Sequence, residues 1–439
     1  MTRLTRNTSS KRLGALWLLV GVLSCSSTEP GVVANGGTGG GATAGTAAGG
    51  AGSTAGAAAG TAGVSAGAAG VGNAANAGSG GSAGSVSGGG SAGTAGTAGA
   101  AGSTWEGCDE FVPPPDCTIP ADAVLPGELR CTGLYANWQE RKLRCGVKPY
   151  VPAHELWSDG ARKQRYVWLP PGKTVDVTNP DDFDYPVGTR FWKEFYVGPA
   201  GSQKLGETRF LLKSAAGWLY TVYVWSSDGM TATQHNEGVE DLFATGHTVP
   251  SREQCKTCHI GRQNFILGWD FIMLGTGATG VTARGLAQDG QLSGLDPKLL
   301  DLQVPGDAVE KAALAYLHAN CGVSCHNTTI DATGNPSGLY LRLEVAKMDS
   351  PHSTSAVDGI NQNPAPNAKL GALPSDRSYF DIRPRDLDRS LVYLRMNHRG
   401  SDTAMPPLGT HQVHEQGVSA VKAWIESMTT ERGYPAPAP

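Results

Sequence analysis

Charge, aromatic side chains and long apolar runs are all scarce in this sequence. Charged residues make up 17% of its 439 residues and aromatic residues 7%, and 35 basic residues nearly balance 39 acidic ones. A formal charge of -4 provides no excess of basic residues for binding nucleic acid, and no strong attraction to an anionic membrane. We therefore expect no nucleic-acid partner.

The one long apolar run, residues 13–23, lies near the amino terminus. Four basic residues precede it: Arg3, Arg6, Lys11 and Arg12. The run has about half of the roughly 20 apolar residues that a membrane-spanning helix needs, so the pattern is typical of a secretory signal. Val22-Leu-Ser-Cys25 resembles a bacterial lipobox. This resemblance implies that residues 1–24 are removed and that Cys25 carries a lipid; ordinary cleavage is the alternative.

Ser26 follows the lipidated cysteine and fits sorting to the outer membrane of a Gram-negative bacterium. We expect the protein to be exported and to face the periplasm or the cell surface from that lipid anchor. Residues 25–104 form the next segment, in which Gly, Ala, Ser and Thr predominate and, from Gly31 to Ser103, no charged residue occurs. Such a composition buries too little apolar surface to offset conformational entropy, which predicts a disordered linker rather than a repeat solenoid.

Cysteine use separates the rest of the chain into regions. Four of the nine cysteines lie within a short part of residues 105–250: Cys108, Cys117, Cys131 and Cys145. In an exported protein, four such cysteines indicate two disulfides. Of the three possible connectivities we expect Cys108–Cys117 and Cys131–Cys145. A zinc site is the alternative, and the lack of a Cys-x-x-Cys pair there argues against it.

Residues 105–250 are predicted to form a β-rich domain. Four runs of aromatic and β-branched residues are separated by Gly and Pro turns: residues 165–169, 189–197, 208–212 and 218–225. This pattern is typical of strands and hairpins, and it predicts a sandwich or a small barrel. Two polar clusters, residues 156–165 and 207–209, are interpreted as a turn leading into a strand and as an acidic-basic pair that fixes strand register; the alternative is that they line a site.

A haem-binding motif follows, formed by Cys255, Cys258 and His259. The two thiols can add across the vinyl groups of a haem, and the histidine can then reach the iron as proximal ligand. Ser251 and Gln254 have capping-box spacing, which predicts a short helix that presents the motif. A disulfide or a zinc site is the alternative.

Residues 251–306 are too short for a complete cytochrome domain, so this first haem is expected to share walls with a neighbouring region. Its sixth ligand is open. Met273 is nearest in sequence. The alternatives are an empty position or a ligand from the β-rich side: Met230, His235 or His247.

A second motif, Cys321-Gly-Val-Ser-Cys325-His326, has three residues between its cysteines where the usual spacing is two. A structural disulfide between the two is the alternative. A helix with an acidic start at Asp307 is predicted to precede the motif, and the pattern of residues 418–428 predicts an amphipathic terminal helix. Between them, two prolines hold Met405 in an extended loop, where its thioether can be aimed at an iron atom.

This order of helix, motif, Met-Pro-Pro loop and terminal helix in residues 307–430 resembles a class I cytochrome c. The resemblance implies that His326 is the proximal ligand and Met405 the distal ligand. Across residues 130–430, the combination of Leu-Trp-Ser-Asp-Gly-Ala, Glu-Thr-Arg, Tyr-Val-Trp, both motifs and Met-Pro-Pro resembles a family of exported dihaem cytochrome c lipoproteins.

The sequence thus predicts a multidomain chain: a β-rich, sandwich-like domain followed by mainly α cytochrome c-type haem domains, after a disordered linker. We expect two covalent haem c groups, single-electron transfer with redox partner proteins, and attachment to the membrane through the lipid. One alternative is a haem enzyme that reduces peroxide or oxidises a substrate at the first haem. The other is a binding module whose β-rich domain captures a glycan or a protein.

Overall fold

A seven-stranded antiparallel sheet is the largest element of the protein. The computed structural model describes residues 112–117, 124–365, 368–371 and 373–437. The predicted signal sequence, the lipidation site Cys25, the linker and Cys108 lie outside the described residues.

The strands of the main sheet follow the order β12-β3-β4-β6-β7-β8-β9, and three further pairs are β1 with β2, β10 with β11, and β13 with β5. The strand bounds are β1 Tyr135–Asn137, β2 Lys142–Leu143, β3 Lys148–Val151, β4 Arg162–Trp168, β5 Val175–Asp176, β6 Arg190–Val197, β7 Lys204–Ser214, β8 Gly217–Trp225, β9 Ala232–Gln234, β10 Val239–Leu242, β11 His247–Val249, β12 Thr279–Gly280 and β13 Leu292–Ser293. The predicted β-rich region is confirmed. Its main part is one sheet with small strand pairs around it.

The two faces of the sheet pack against different parts of the chain because successive side chains of a strand point in opposite directions. On one face, Trp192 and Phe210 pack with Leu129 and Leu134, which precede the sheet. On the other face, aromatic residues such as Phe191 pack against the segment that follows the first haem-binding motif. The second face is the one that borders the motifs.

Six α-helices are described: α1 Arg252–His259, α2 Ala283–Gln288, α3 Ala308–Leu317, α4 Ser355–Asp358, α5 Leu391–Met396 and α6 Glu415–Ser427. Short 3-10 helices cover Leu129–Thr132, Pro297–Asp301, Asn335–Ser337, Val345–Lys347, Pro351–Ser353, Leu387–Arg389 and Thr430–Arg432. The predicted capping box at Ser251 and Gln254 is confirmed at the start of α1. Asp307 caps α3 in the same way, with Glu310 as its partner.

Helices α3 and α6 cross in close contact. Leu317 of α3 and Trp424 of α6 belong to one buried cluster, which the apolar spacing of both helices predicted. At the crossing, Gly417 lies against Tyr316, and a Cβ atom on Gly417 would be 2.1 Å from the tyrosine ring. The two helices can approach this closely only because position 417 has no side chain.

One disulfide joins Cys117 and Cys131, whose Cα atoms are 5.6 Å apart, and Cys145 is also disulfide-bonded. The expected pairs, Cys108–Cys117 and Cys131–Cys145, are therefore wrong. The physical reason is the path of the chain, since residues 112–117 return to Cys131 and Asp116 pairs with Arg130 at 2.6 Å. Spacing in the sequence could not distinguish the pairs, because Cys117–Cys131 and Cys131–Cys145 are both separated by 14 residues.

The described residues lie within one compact unit, so the β-rich and helical regions are packed together. Among the described helices, none has both the length and the apolar character to cross a membrane.

Candidate functional site

Both predicted haem-binding motifs face one cavity of about 800 Å³ between the sheet and the helical region. It is lined by every predicted haem contact: Cys255, Cys258, His259, Met273, Cys321, Cys325, His326 and Met405. The four motif cysteines are free thiols. The structure therefore brings together residues that are up to 150 positions apart in the sequence.

His259 at the end of α1 is held in a defined tautomer. Its Nδ1 lies 2.6 Å from the carbonyl oxygen of Phe265. Because a carbonyl only accepts, Nδ1 donates and Nε2 is left without the proton, which is the arrangement of a metal-binding histidine. Phe265 has a φ of 63°, a costly conformation for an aromatic residue. Burial lowers the pKa of His259 to about 4, so its ring is neutral at pH 7.

The three-residue gap in the second motif is accommodated by a widened helical turn. After α3 the chain continues as a π-helical turn, His318–Gly322. The N–H of Val323 donates to the carbonyl of His318 at 2.9 Å, and the N–H of His326 donates to the carbonyl of Cys321 at 2.8 Å. Both bonds span five residues, so the turn holds one residue more than an α-helical turn.

His326 repeats the arrangement of His259. Its Nδ1 donates to the carbonyl of Leu339 at 3.1 Å, and the hydroxyl of Ser337 lies 3.3 Å from the same atom. Burial lowers the pKa of His326, which keeps the ring neutral. A Cβ atom on Gly334 would lie 3.0 Å from the imidazole, so this glycine leaves room for the ring.

The two motif segments touch each other. The thiols of Cys258 and Cys325 lie close enough to interact, and the interaction raises the pKa of Cys258 and lowers that of Cys325. A Cβ atom on Gly261 would lie 1.9 Å from the carbonyl oxygen of Ser324, so the backbones meet here. No local pattern indicates this contact, because it joins segments about 65 residues apart.

Of the residues considered as sixth ligand of a haem at the first motif, the structure places two at the cavity. Met273 is buried and lines the cavity, as does His247. Neither Met230, which is 57% exposed, nor His235 lies among the cavity-lining residues. The Nε2 atom of His247 is 2.8 Å from a carboxylate oxygen of Glu207.

Glu207 and Arg209 form an ion pair at 2.7 Å on one strand, β7. The pair therefore cannot fix the register between strands, which was the interpretation from sequence. Burial alone would raise the pKa of Glu207, but Arg209 and His247 outweigh it and lower the value to about 2. Arg209 and His247 both line the cavity, so this cluster belongs to the site.

The loop between β3 and β4 holds the segment that follows Met405. Both carboxylate oxygens of Asp159 accept from the backbone N–H of His411, at 2.8 and 2.9 Å, and one also accepts from the N–H of Gln412. Trp157 stacks on the ring of His414, with centroids 4.1 Å apart. From the sequence, a turn was favoured here over part of a site, because the contacts of this loop lie about 250 residues away.

The backbone N–H of Trp157 also donates to the side-chain oxygen of Asn320 at 2.8 Å. Asn320 immediately precedes Cys321, so the same loop contacts both the second motif and the Met405 segment.

No group of three or more His, Cys, Asp or Glu side chains in the part of the chain that the structure describes could hold a metal ion. An iron atom in a porphyrin needs only one or two axial ligands from the protein. Two free thiols followed by a carbonyl-held histidine, present twice in one cavity, fit covalent haem. No protein-family model, curated protein or solved structure matches this chain, so an assignment rests on these residues and their geometry.

Proposed function

We propose that this protein is an exported, lipid-anchored dihaem c-type cytochrome that transfers single electrons between redox partner proteins. The observation that carries the proposal is the repeated donor set in one cavity: two free thiols and a neutral, carbonyl-held histidine at each motif. Haem bound covalently at these positions supplies a reversible one-electron iron couple.

The direction of the transfer depends on which residue completes the ligation of the first centre. Met405 and His326 line the cavity at the second motif, and a Met/His ligand pair raises a reduction potential. At the first motif, the candidates to complete the ligation are Met273 and His247. With His247 as ligand the first centre has the lower potential, so electrons collect at the second.

The contact between Cys258 and Cys325 supports transfer within the chain. Each of these cysteines is an attachment point of a different motif, so their contact holds the two attachment sites next to each other. The backbone contact between Gly261 and Ser324 fixes the same spacing. An electron can then pass between the two centres without leaving the protein.

Covalent haem is tested by the pyridine haemochrome spectrum and the intact mass of the full-length protein, produced in a host that matures c-type cytochromes. We expect two haems per chain. The double variant Cys321→Ala, Cys325→Ala should retain one, and so should Cys255→Ala, Cys258→Ala. Any other stoichiometry in the parent protein contradicts the proposal. Cys25→Ala, which leaves both motifs intact, should move the protein from the membrane fraction to the soluble fraction.

A haem oxidoreductase acting at the first motif is the second candidate. It is favoured by the polar groups that the sheet places in the cavity beside this motif, including Lys193 and Arg209. Two low-spin centres whose optical and electron-spin spectra do not change with cyanide would exclude it. The same spectra identify the sixth ligand of the first centre. Met273→Leu and His247→Leu are compared, and the variant that has lost the ligand should show a high-spin signal.

A further inference from the structure

Three basic side chains form a row across three neighbouring strands of the main sheet. Arg165 on β4 is the register partner of Lys193 on β6, and Lys193 is the register partner of Arg209 on β7. Register partners point to the same face of a sheet, and all three residues line the cavity. We call these three residues the basic row.

The basic row lies on a face that is otherwise largely apolar. The next register pair on this face, Val167 with Phe191, belongs to a buried apolar cluster. In the other direction along the strands, Phe195 belongs to a second buried apolar cluster. Like charges directly opposite each other destabilise a sheet. Placing three of them side by side in this surface therefore costs free energy that some other group must offset.

Only the two outer members form ion pairs with carboxylates of the protein; Glu207 also acts on the central Lys193, but from beyond ion-pair distance. Arg165 pairs with Glu155 at 2.8 Å, and Arg209 pairs with Glu207 at 2.7 Å. For Lys193, at the centre, no hydrogen bond or ion pair occurs within the described residues; its ammonium lies 4.9 Å from the ring centroid of Phe195. Burial, together with the neighbouring charge of Arg165, lowers the pKa of Lys193 well below its usual value.

The basic row lies beside the first motif. The charge of Arg209 acts on Cys255 and Cys258, and those of Lys193 and Arg209 both act on His259. Cys255 itself packs against the cluster that contains Phe195. An anion between the row and the first motif would supply the negative charge that Lys193 lacks.

We propose that Arg165, Lys193 and Arg209 form a receptor for a carboxylate or small oxyanion next to the first motif. The Lys193 ammonium is a compact charge at its centre, and the planar guanidinium groups on either side offer N–H donors that match oxygen pairs. Two sources share this chemistry: a propionate of the porphyrin attached at Cys255 and Cys258, and an oxyanion that diffuses into the cavity. The first source rests on the function proposed above; the second does not.

The test compares Lys193→Met with a matched control, Lys204→Met. Lys204 begins β7 on the same sheet, is exposed, and forms no ion pair within the described residues. Lys193→Arg keeps the charge and should behave like the parent protein. Haem content is measured first for each protein, followed by sulfate binding by calorimetry and the reduction potentials of the centres.

If the anion is a diffusible oxyanion, the parent protein binds one sulfate, and Lys193→Met weakens that binding by roughly tenfold or more. If it is a propionate, the parent binds no sulfate, and Lys193→Met lowers the potential of one centre, because a cation that favoured the reduced iron is gone. In both cases Lys193→Arg restores the parent value. Lys193→Gln gives the same comparison if Lys193→Met does not fold.

The receptor is rejected if the parent protein binds no sulfate and Lys193→Met has the same potentials as Lys204→Met. A chain without covalent haem would reject the proposed function instead. The receptor would then still stand if that chain bound sulfate and lost the binding in Lys193→Met.

Discussion

At each motif, one backbone carbonyl accepts a hydrogen bond from Nδ1 of the histidine and so leaves Nε2 available to bind a metal. Phe265 plays this part for His259 and Leu339 for His326, and the two carbonyls come from unrelated segments that follow the motifs by 6 and 13 residues. The cysteine and histidine spacing can be read from the sequence. The tautomer cannot, because it depends on where a later loop places one oxygen atom.

We expect the reduction potential of the second centre to depend on pH through Asp381. It lines the cavity, and burial raises its pKa to about 6, although Arg395 acts in the opposite direction. Above pH 6 the carboxylate is charged and disfavours an additional electron nearby. The potential of the Met405 centre should therefore fall as the pH rises from 5 to 7.5.

Redox titrations of the haem-loaded protein at several pH values measure this dependence. In Asp381→Asn the potential should stay near its low-pH value throughout. Asp402→Asn is the control, since Asp402 is an exposed carboxylate, 63% accessible, that pairs with Lys369. An unchanged pH dependence in Asp381→Asn would show that another group titrates.

At the scale of the elements, the contact between the two motif segments depends on Gly261. A Cβ atom there would overlap the carbonyl oxygen of Ser324, and the φ of Gly261 is one that other residues adopt, so Gly261→Ala tests sterics alone. We expect a loss of about 1–3 kcal/mol in the free energy of unfolding. Gly127→Ala is the matched control, because a Cβ atom at Gly127 meets nothing within 4 Å. Urea unfolding of both variants measures the difference, and equal stabilities would contradict the contact.

The loop that carries Asp159 is expected to hold Met405 in place. Asp159 has a φ of 49°, so Asp159→Gly removes the carboxylate without straining the backbone. The N–H groups of His411 and Gln412 then lose their acceptor, and the Met405 segment should loosen. We expect a weaker sulfur-to-iron absorption band in the oxidised protein and a lower potential at one centre.

Asp228→Gly is the control for that loop, since Asp228 accepts hydrogen bonds only within its own turn. Asp159→Asn keeps one acceptor oxygen and should give an intermediate spectrum. If Asp159→Gly leaves the absorption band unchanged, the loop does not position Met405.

Local sequence patterns predicted the individual helices and strands well. They did not predict the contacts between residues far apart in the sequence. The strand runs, the capping of α1 and α3 and the apolar stripe of α6 follow from spacing over a few residues. The basic row was missed because Arg165, Lys193 and Arg209 meet only through strand register, which the sequence does not display. The disulfide between Cys117 and Cys131 was missed for the same reason, since the path of the chain decides it.

At the scale of the whole molecule, the cavity belongs to neither the sheet nor the helices alone. The sheet supplies Arg165, Lys193 and Arg209, whereas Met405 and His326 come from the helical region. Contacts away from the cavity join the same two regions. The carbonyl of Asp181 accepts from the guanidinium of Arg342, and its carboxylate accepts from the N–H of Val345 at 3.0 Å.

This division predicts how truncated proteins behave. Residues 105–437 retain the contacts between the sheet and the helical region. This fragment should bind two haems and unfold in one transition, with the thermal midpoint of the full chain. Residues 307–437 alone lose the carbonyl of Asp181 that accepts from Arg342 and the N–H of Trp157 that donates to Asn320, and they lose Ile272 from their buried apolar cluster. Their single haem should therefore sit in a less stable protein, with a lower thermal midpoint and a site open to cyanide. Thermal unfolding followed at the haem absorption band measures both fragments. A midpoint for residues 307–437 equal to that of the full chain would show that the helical region is an independent domain and that the sheet is not needed for the second centre.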